Sequence, residues 1–288
     1  MAYQFLDRTV ALPKTSGEIA TRFSHDGWMM TDAERCTLVA VLSERRPECA
    51  IEVGSYKGGS LGILAKFCKK VYSLDVDPAL RDERAHEFPN VEFIIGNSRQ
   101  TLPMLIDKIQ RTNESLGFVL IDADHSEQGV RADINHLLQY KPNCPLYILL
   151  HDSFNPDCRR GMLSADWALN PHVHLVETDF AVGRLVTAEE GNGARTMCCG
   201  FALAILLPER RTGRALIRQN DYLIYRIAYL FSVNAFRRPW NPFYSIPRHT
   251  RTYVRKVKRF LRQAILEHSP KLHAWLRNHG GKKTEVSQ

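Results

Sequence analysis

Five polar groups stand at the ends of five successive apolar runs, and their types could hold a cofactor and move a proton. The first is IEVGSYKGGS at 51–60, a buried run that stops at Gly54 and turns through small residues. A glycine there lets a ligand approach the backbone closely, because no Cβ intervenes. Asp75 ends the next apolar run, 21 residues after Gly54, where a second strand would place a carboxylate on a ribose. Asn97-Ser98, Asp122-Ala123-Asp124-His125 and His151-Asp152 end the next three. A single acidic strand end is ordinarily a helix cap or a surface turn. Five in order fit one sheet edge, because parallel strands open their carboxyl ends on the same crevice.

The chemistry these groups offer divides in two. Asp124 and His125 are base candidates, and an imidazole titrates near neutrality without help from a metal. Asp122 and Asp152 end neighbouring strands, so their carboxylates can converge as hard oxygen ligands for Mg²⁺. With His151 they form the candidate metal set, and the imidazole suits Mn²⁺, Fe²⁺ or Zn²⁺ better than Mg²⁺. The loop at 51–60 lacks G-x-G-x-x-G, which argues against a nicotinamide dinucleotide.

The elements that must position these groups alternate regularly. Thr31-Asp32-Ala33-Glu34 is a capping box and predicts a helix to about Arg45, stopped by Pro47. Strands are predicted at 50–53, 70–75, 91–96, 118–121 and 146–150, with helices at 60–68, 78–87, 102–111 and 127–138 between them. That is the rhythm of βαβ units and a parallel sheet. Further on, 174–178 reads as a sixth strand, 189–193 as a turn, 200–207 as an apolar strand, and 215–233 and 250–267 as helices. The fold class is α/β: a Rossmann-like, seven-stranded, mostly parallel sheet with helices on both faces and a basic helical C-terminal extension. The divisions are 1–30, 31–208 and 209–288.

Composition sets the frame. The 288 residues are 44% apolar and 24% charged, ordinary for a globular protein. No apolar run approaches the roughly 18 residues of a membrane span. No basic-then-apolar leader opens the sequence, so a cytoplasmic location is expected, with peripheral membrane attachment as the variant. Seven cysteines without C-x-x-C spacing point to reduced thiols, and the adjacent Cys198 and Cys199 should point to opposite faces of a strand. Residues 209–288 hold 18 Lys+Arg against 4 Asp+Glu, a balance of +14, and the rest balances at −6. In 250–267, Val254, Val257, Leu261 and Ile265 recur at helical spacing opposite Arg255, Lys256, Lys258, Arg259 and Arg262. Such a helix packs on its own domain or a homo-oligomer mate, or lies on an anionic membrane surface. No aromatic-basic signature accompanies it, so nucleic acid is disfavoured. Asp133 reads as a helix residue supporting the site loop, and His172 and His174 read as surface residues.

IEVGSYKGGS (51–60), SLDVDP (73–78), IIGNS (94–98), FVLIDADHSEQGVRADI (118–134) and LLHDSF (149–154) together resemble the class I S-adenosylmethionine-dependent methyltransferases, covering roughly 30–208. More narrowly, they resemble the branch with macrolide and aminocoumarin sugar O-methyltransferases and cephalosporin-hydroxylase-like proteins (methyltransferase domain family 24 type). The resemblance implies S-adenosylmethionine as cofactor, with Glu52 and Gly54 under its methionine part. Tyr56, Gly58 and Ser60 would line the same loop. Asp75 would take the ribose hydroxyls, Ser98 would lie near the adenine, and Asp122 would sit between cofactor and metal. The implied reaction is methyl transfer to a hydroxyl of a small molecule or sugar. His151 departs from the metal-dependent relatives, which carry an acidic residue there. Two other readings stay open: an RNA or N-methyltransferase using the basic tail, and a non-catalytic cofactor-binding partner protein.

Overall fold

The computed structural model describes residues 29–187 and 195–237. Helix α1 (Asp32–Arg45) opens on Thr31, whose hydroxyl accepts the Glu34 N–H while the Glu34 side chain returns to the Thr31 N–H. That cap is worth about 0.5–2 kcal/mol. Leu38 and Leu42 on the same helix are fully buried, at about 1.5–3 kcal/mol each. Packing therefore holds this helix more firmly than its cap.

The expected alternation follows: β1 (Cys49–Val53), α2 (Gly59–Phe67), β2 (Lys70–Asp75), α3 (Ala79–Arg84), β3 (Val91–Ile95), α4 (Ser98–Thr112), β4 (Leu116–Ile121), α5 (Glu127–Leu137), β5 (Leu146–His151) and α6 (Pro156–Ser164). Every residue of β1 and β4 is buried, because helices cover both faces of the sheet. In β1, Ile51 and Val53 pack with Leu105 and Ile109 of α4 and Ile134 of α5, while Ala50 packs with Leu38 and Leu61 on the other face. The strand period of two puts Glu52 on the Ala50 side, the face that α2 covers.

The second half brings β6 (Val173–Ala181), β7 (Arg184–Thr187), β8 (Arg195–Cys198), β9 (Phe201–Leu206), β10 (Leu216–Arg218) and α7 (Tyr222–Phe231). The main sheet runs β10-β6-β9-β5-β4-β1-β2-β3, with β9 antiparallel to both neighbours and all other pairs parallel. It has one strand more than the seven expected. The segment read as the start of a helix at 215 instead pairs Leu216–Arg218 with Leu175–Glu177, and the helix begins only at Tyr222. A short apolar run is ambiguous between helix and edge strand, and pairing with β6 decides it. The division placed after Pro208 thus falls inside a unit that continues to Ala235. Buried Arg159 of α6 ties this unit together. It pairs with Asp179 at 2.6 Å, donates to Thr178 and Gln219, and stacks 4.2 Å from the Tyr225 ring.

Two other expectations change. His172 is buried, with Nδ1 2.9 Å from the Leu207 carbonyl, so it closes the end of β9 rather than facing solvent. Cys198 and Cys199 do not point apart. Strand β8 stops at Cys198, Cys199 takes φ +68°, and the two sulfurs lie 3.3 Å from each other. The turn at 189–193, the helix at 250–267 and residues 1–28 lie outside the described residues.

The chain runs outward from β1 through β2 to β3, then returns to lay β4 on the opposite side of β1. The strand order reverses between β1 and β4, which is where α/β sheets open a ligand crevice. Asp122 N–H donates to the Val53 carbonyl at 2.8 Å, so the two strand ends touch. A Cβ on Gly54, at φ +88°, would stand 2.3 Å from the Asp122 carbonyl oxygen. Only glycine fits there.

Candidate active site

A cleft of about 610 Å³ lies along this edge, lined by Gly54, Ser55, Tyr56, Ser60, Asp75, Ser98 and Asp122 among others. Asp75, at the end of β2, anchors the loop. Its Oδ2 accepts the Ser55 and Tyr56 N–H groups at 2.9 Å each, and its Oδ1 accepts the Asp77 N–H at 3.0 Å. A carboxylate offers about four lone-pair sites, so roughly one remains for a ligand hydroxyl. Asn97 caps α4 through Arg99 N–H; at this strand end the helix-cap reading holds. Ser98 lines the cleft, and Asp133 of α5 lies behind it. Burial pushes the Asp133 carboxyl up, and the Ser98 hydroxyl offsets part of the rise.

Five of the sequence candidates, Glu52, Gly58, His125, His151 and Asp152, sit outside the cleft wall. Gly58 begins α2 at φ +80°, with its open side against Leu80; it shapes the turn. Glu52 is fully buried beneath the loop. Burial raises its carboxyl to about 7, eased by the nearby Ser60 and Ser55 hydroxyls.

Beside Asp122 of the cleft wall, the strand ends of β4 and β5 and Glu34 of α1 gather two histidines and three carboxylates. His125 Nε2 lies 3.1 Å from Asp122 Oδ1 and its Nδ1 3.2 Å from Asp152 Oδ2. His151 Nδ1 lies 2.7 Å from the same Asp122 oxygen, and its Nε2 makes a charge contact with Glu34 Oε1 at 2.9 Å. Asp152, at φ +57°, accepts the Cys199 N–H. The electrostatics follow from these contacts. Burial works against a charged His151, but Asp122 and Glu34 outweigh it and hold the imidazolium well above its ordinary range. His125 is raised by its hydrogen bond to Asp122, against a smaller effect of burial. Burial would raise Asp122, yet the two histidines hold it below the usual carboxylate range. Asp124 lines the cleft: its Oδ1 accepts the Ser126 N–H at 2.9 Å, which lowers it, and Arg99 pairs with its Oδ2 at 3.4 Å.

Glu34 is the residue that sequence reasoning missed. Its Oε2 takes the Thr31 N–H and hydroxyl at 2.6 and 2.7 Å, while its Oε1 takes the Gly200 N–H at 2.6 Å and faces His151. The capping box accounts for one oxygen only, and no local signal points to the other.

The metal set changes in the same way. Among the described residues, Asp122, His125 and His151 bring one ligand atom each within 4.8 Å of one another. Asp152, with one oxygen on the Cys199 amide, falls instead into a second such group with His125 and Cys158. Two imidazoles and one carboxylate fit Mn²⁺, Fe²⁺ or Zn²⁺ and fit Mg²⁺ poorly. Glu34 on the far nitrogen of His151 is the usual orienting partner for such a ligand. Each of these ligand atoms also has a protein partner already.

Residues 51–153 match a family model described as "Methyltransferase domain". A rhamnosyl O-methyltransferase from Mycobacterium bovis (strain BCG / Pasteur 1173P2) is 34% identical over 122 residues, 39% of this chain and 49% of the relative. One from Mycobacterium tuberculosis (strain ATCC 25618 / H37Rv) matches equally. The chain spans about half the length of the curated relatives it matches. Among solved structures, an O-methyltransferase from Bacillus cereus in complex with SAH superposes at a TM-score of 0.43 and 16% identity, covering 69% of this chain and 93% of that one. The sequence match makes residues 51–153 of this chain similar to a methyltransferase domain.

Proposed function

We propose that the protein transfers a methyl group from S-adenosylmethionine to a hydroxyl, most directly one on a sugar. One observation carries this reading: a single cleft runs from the Asp75-anchored loop to Asp122, beside which stands a half-exposed imidazole, His125. Methyl transfer from a sulfonium needs the acceptor oxygen aligned within about 3–3.5 Å of the methyl carbon and its proton removed. His125 is the base in this reading: it is half-exposed, and it is the more basic of the two because Asp122 raises it while Ser126 lowers Asp124. It takes up the acceptor proton on a ring nitrogen released from Asp122 or Asp152. The remaining acceptor site of Asp75 takes a ribose hydroxyl, and Glu52 sets a negative charge beneath the sulfonium. A divalent ion on Asp122, His125 and His151 would polarise the acceptor oxygen; the steps described here belong to the side chains alone. The rhamnosyl O-methyltransferases among the relatives support a sugar acceptor.

The test uses methyl-labelled S-adenosylmethionine with a panel of rhamnosides and other glycosides. Label in a sugar methyl ether is the expected result. Label confined to amines or RNA would overturn the hydroxyl assignment.

Two variants probe the cleft and the cluster beside it. Asp75→Ala removes a charged acceptor worth about 1.5–3 kcal/mol, so S-adenosylhomocysteine affinity should fall at least about tenfold by calorimetry. Glu34→Gln keeps the shape but discharges the partner of His151. It is expected to lower kcat about tenfold or more while leaving that affinity within experimental error.

A further inference from the structure

Seven thiols are present and all are free. We propose that Cys198 and Cys199 are a thiol–disulfide exchange site, a vicinal dithiol that closes on itself when it meets a low-molecular-weight disulfide. The geometry is set by the chain. Cys198 ends β8, the positive φ at Cys199 swings its side chain back, and the Cys199 thiol donates to the Cys198 sulfur at 3.3 Å. Cys198 is half-buried while Cys199 is buried, so the first is the accessible nucleophile and the second the resolving thiol. The contact with Cys199 and the nearby Arg184 guanidinium favour the Cys198 thiolate against the effect of burial. In contrast, burial pushes the isolated Cys49 and Cys68 thiols up to about 12, and an inert buried thiol is the ordinary outcome.

The chemistry balances without a further reagent. The Cys198 thiolate attacks one sulfur of the external disulfide, forming a mixed disulfide and releasing one thiolate. Cys199 then loses its proton and attacks the Cys198 sulfur, closing the Cys198–Cys199 bond and releasing the second thiol. Two electrons pass from the protein to the external disulfide. Adjacent Cα atoms are about 3.8 Å apart, below the usual disulfide window of about 4.4–6.8 Å. Such a ring is strained and easily reduced, so closure is reversible.

The backbone of this pair is wired to the site. Cys199 N–H donates to Asp152 and Gly200 N–H to Glu34, while Phe154 N–H donates to the Cys199 carbonyl at 3.0 Å and Ser153 N–H to the Gly200 carbonyl at 3.2 Å. Closing the ring turns these groups, and with them the two carboxylates that face His125 and His151. The effect on turnover rests on the methyl-transfer reading; ring closure itself does not.

The test treats the folded full chain with oxidised glutathione, denatures it, alkylates with N-ethylmaleimide and maps the tryptic peptide Thr196–Arg210, whose cysteines are Cys198 and Cys199 alone. The expected peptide is lighter by two hydrogen masses and takes no alkylating group. Dithiothreitol restores two alkylation sites. Closure in the folded protein should outpace closure in the urea-unfolded chain by about tenfold or more, reflecting preset proximity. Cys198→Ser should abolish the mass loss. Two alkylations after oxidant, a persistent glutathione adduct, or equal rates in folded and unfolded chains would each overturn the proposal. If closure occurs and methyl transfer is unaffected, the dithiol stands and its link to the site falls.

Discussion

Replacing His125 with asparagine is expected to lower kcat by about 10²–10⁴-fold, the range a positioned general base supplies, with S-adenosylhomocysteine affinity nearly unchanged. The split follows from position. Asp75 and its loop line the cleft, while His125 stands behind Asp122, outside the lining. The amide of asparagine preserves a polar contact to Asp122 but takes up no proton. The pH profile gives a second check. Asp122 raises the His125 pKa, and a base works only when neutral. The acidic limb of kcat/KM in the parent protein should therefore lie above pH 6.5, the ordinary histidine value. In the asparagine variant that limb should vanish along with most of the rate. An unchanged kcat, or an acidic limb that persists in the variant, would move the base elsewhere.

The second large effect concerns stability. Glu52 is raised from 4.5 to about 7 by burial. Below 4.5 both folded and unfolded chains hold this proton, and Glu52 leaves stability unchanged there. Between 4.5 and 7 the folded chain holds it more tightly, so stability falls as pH rises through that window. Above 7 the full cost is present, on the order of 3 kcal/mol. Glu52→Gln removes it. The variant, without cofactor, is expected to melt on the order of 10 °C higher than the parent at about pH 8, and alike at about pH 4. Thermal melts across pH read this directly. The cofactor then supplies the sign of the functional role. S-adenosylmethionine carries a sulfonium charge that S-adenosylhomocysteine lacks, so it should stabilise the parent more than its product does above pH 7. That difference should shrink in the variant. If Glu52→Gln melts no higher than the parent at alkaline pH, the buried carboxylate has a compensating partner.

The sheet was legible because its central strands are buried on both faces, and runs such as FVLI at 118–121 admit little else. The cleft was legible for the same reason: once strands are placed, Gly54, Asp75, Ser98 and Asp122 fall on one edge. What stayed hidden depends on contacts between distant segments. Glu34 carries a complete local explanation as a cap, so its second oxygen drew no attention. Asp152 was paired with Asp122 because their strands are neighbours, and the amide that takes one of its oxygens comes from Cys199, in the turn between β8 and β9. The run Leu216–Arg218 is too short for its period to separate strand from helix. Cys198 and Cys199 alternate on paper, but a single positive φ cancels the alternation.

The link between Gly200 and Glu34 joins residues 166 positions apart. At about 5–20 residues per second on the ribosome, the acidic partner is made on the order of 10–30 s before its amide donor. Through that interval α1 and the early strands can pack, but the Glu34 carboxylate has neither His151 nor Gly200 to meet it until late. The amides that hold Glu34 and Asp152 are therefore made after every side chain of the histidine–carboxylate cluster. A nascent chain that stalls before Cys199 carries every side chain of the cluster without the two backbone amides that hold Asp152 and Glu34.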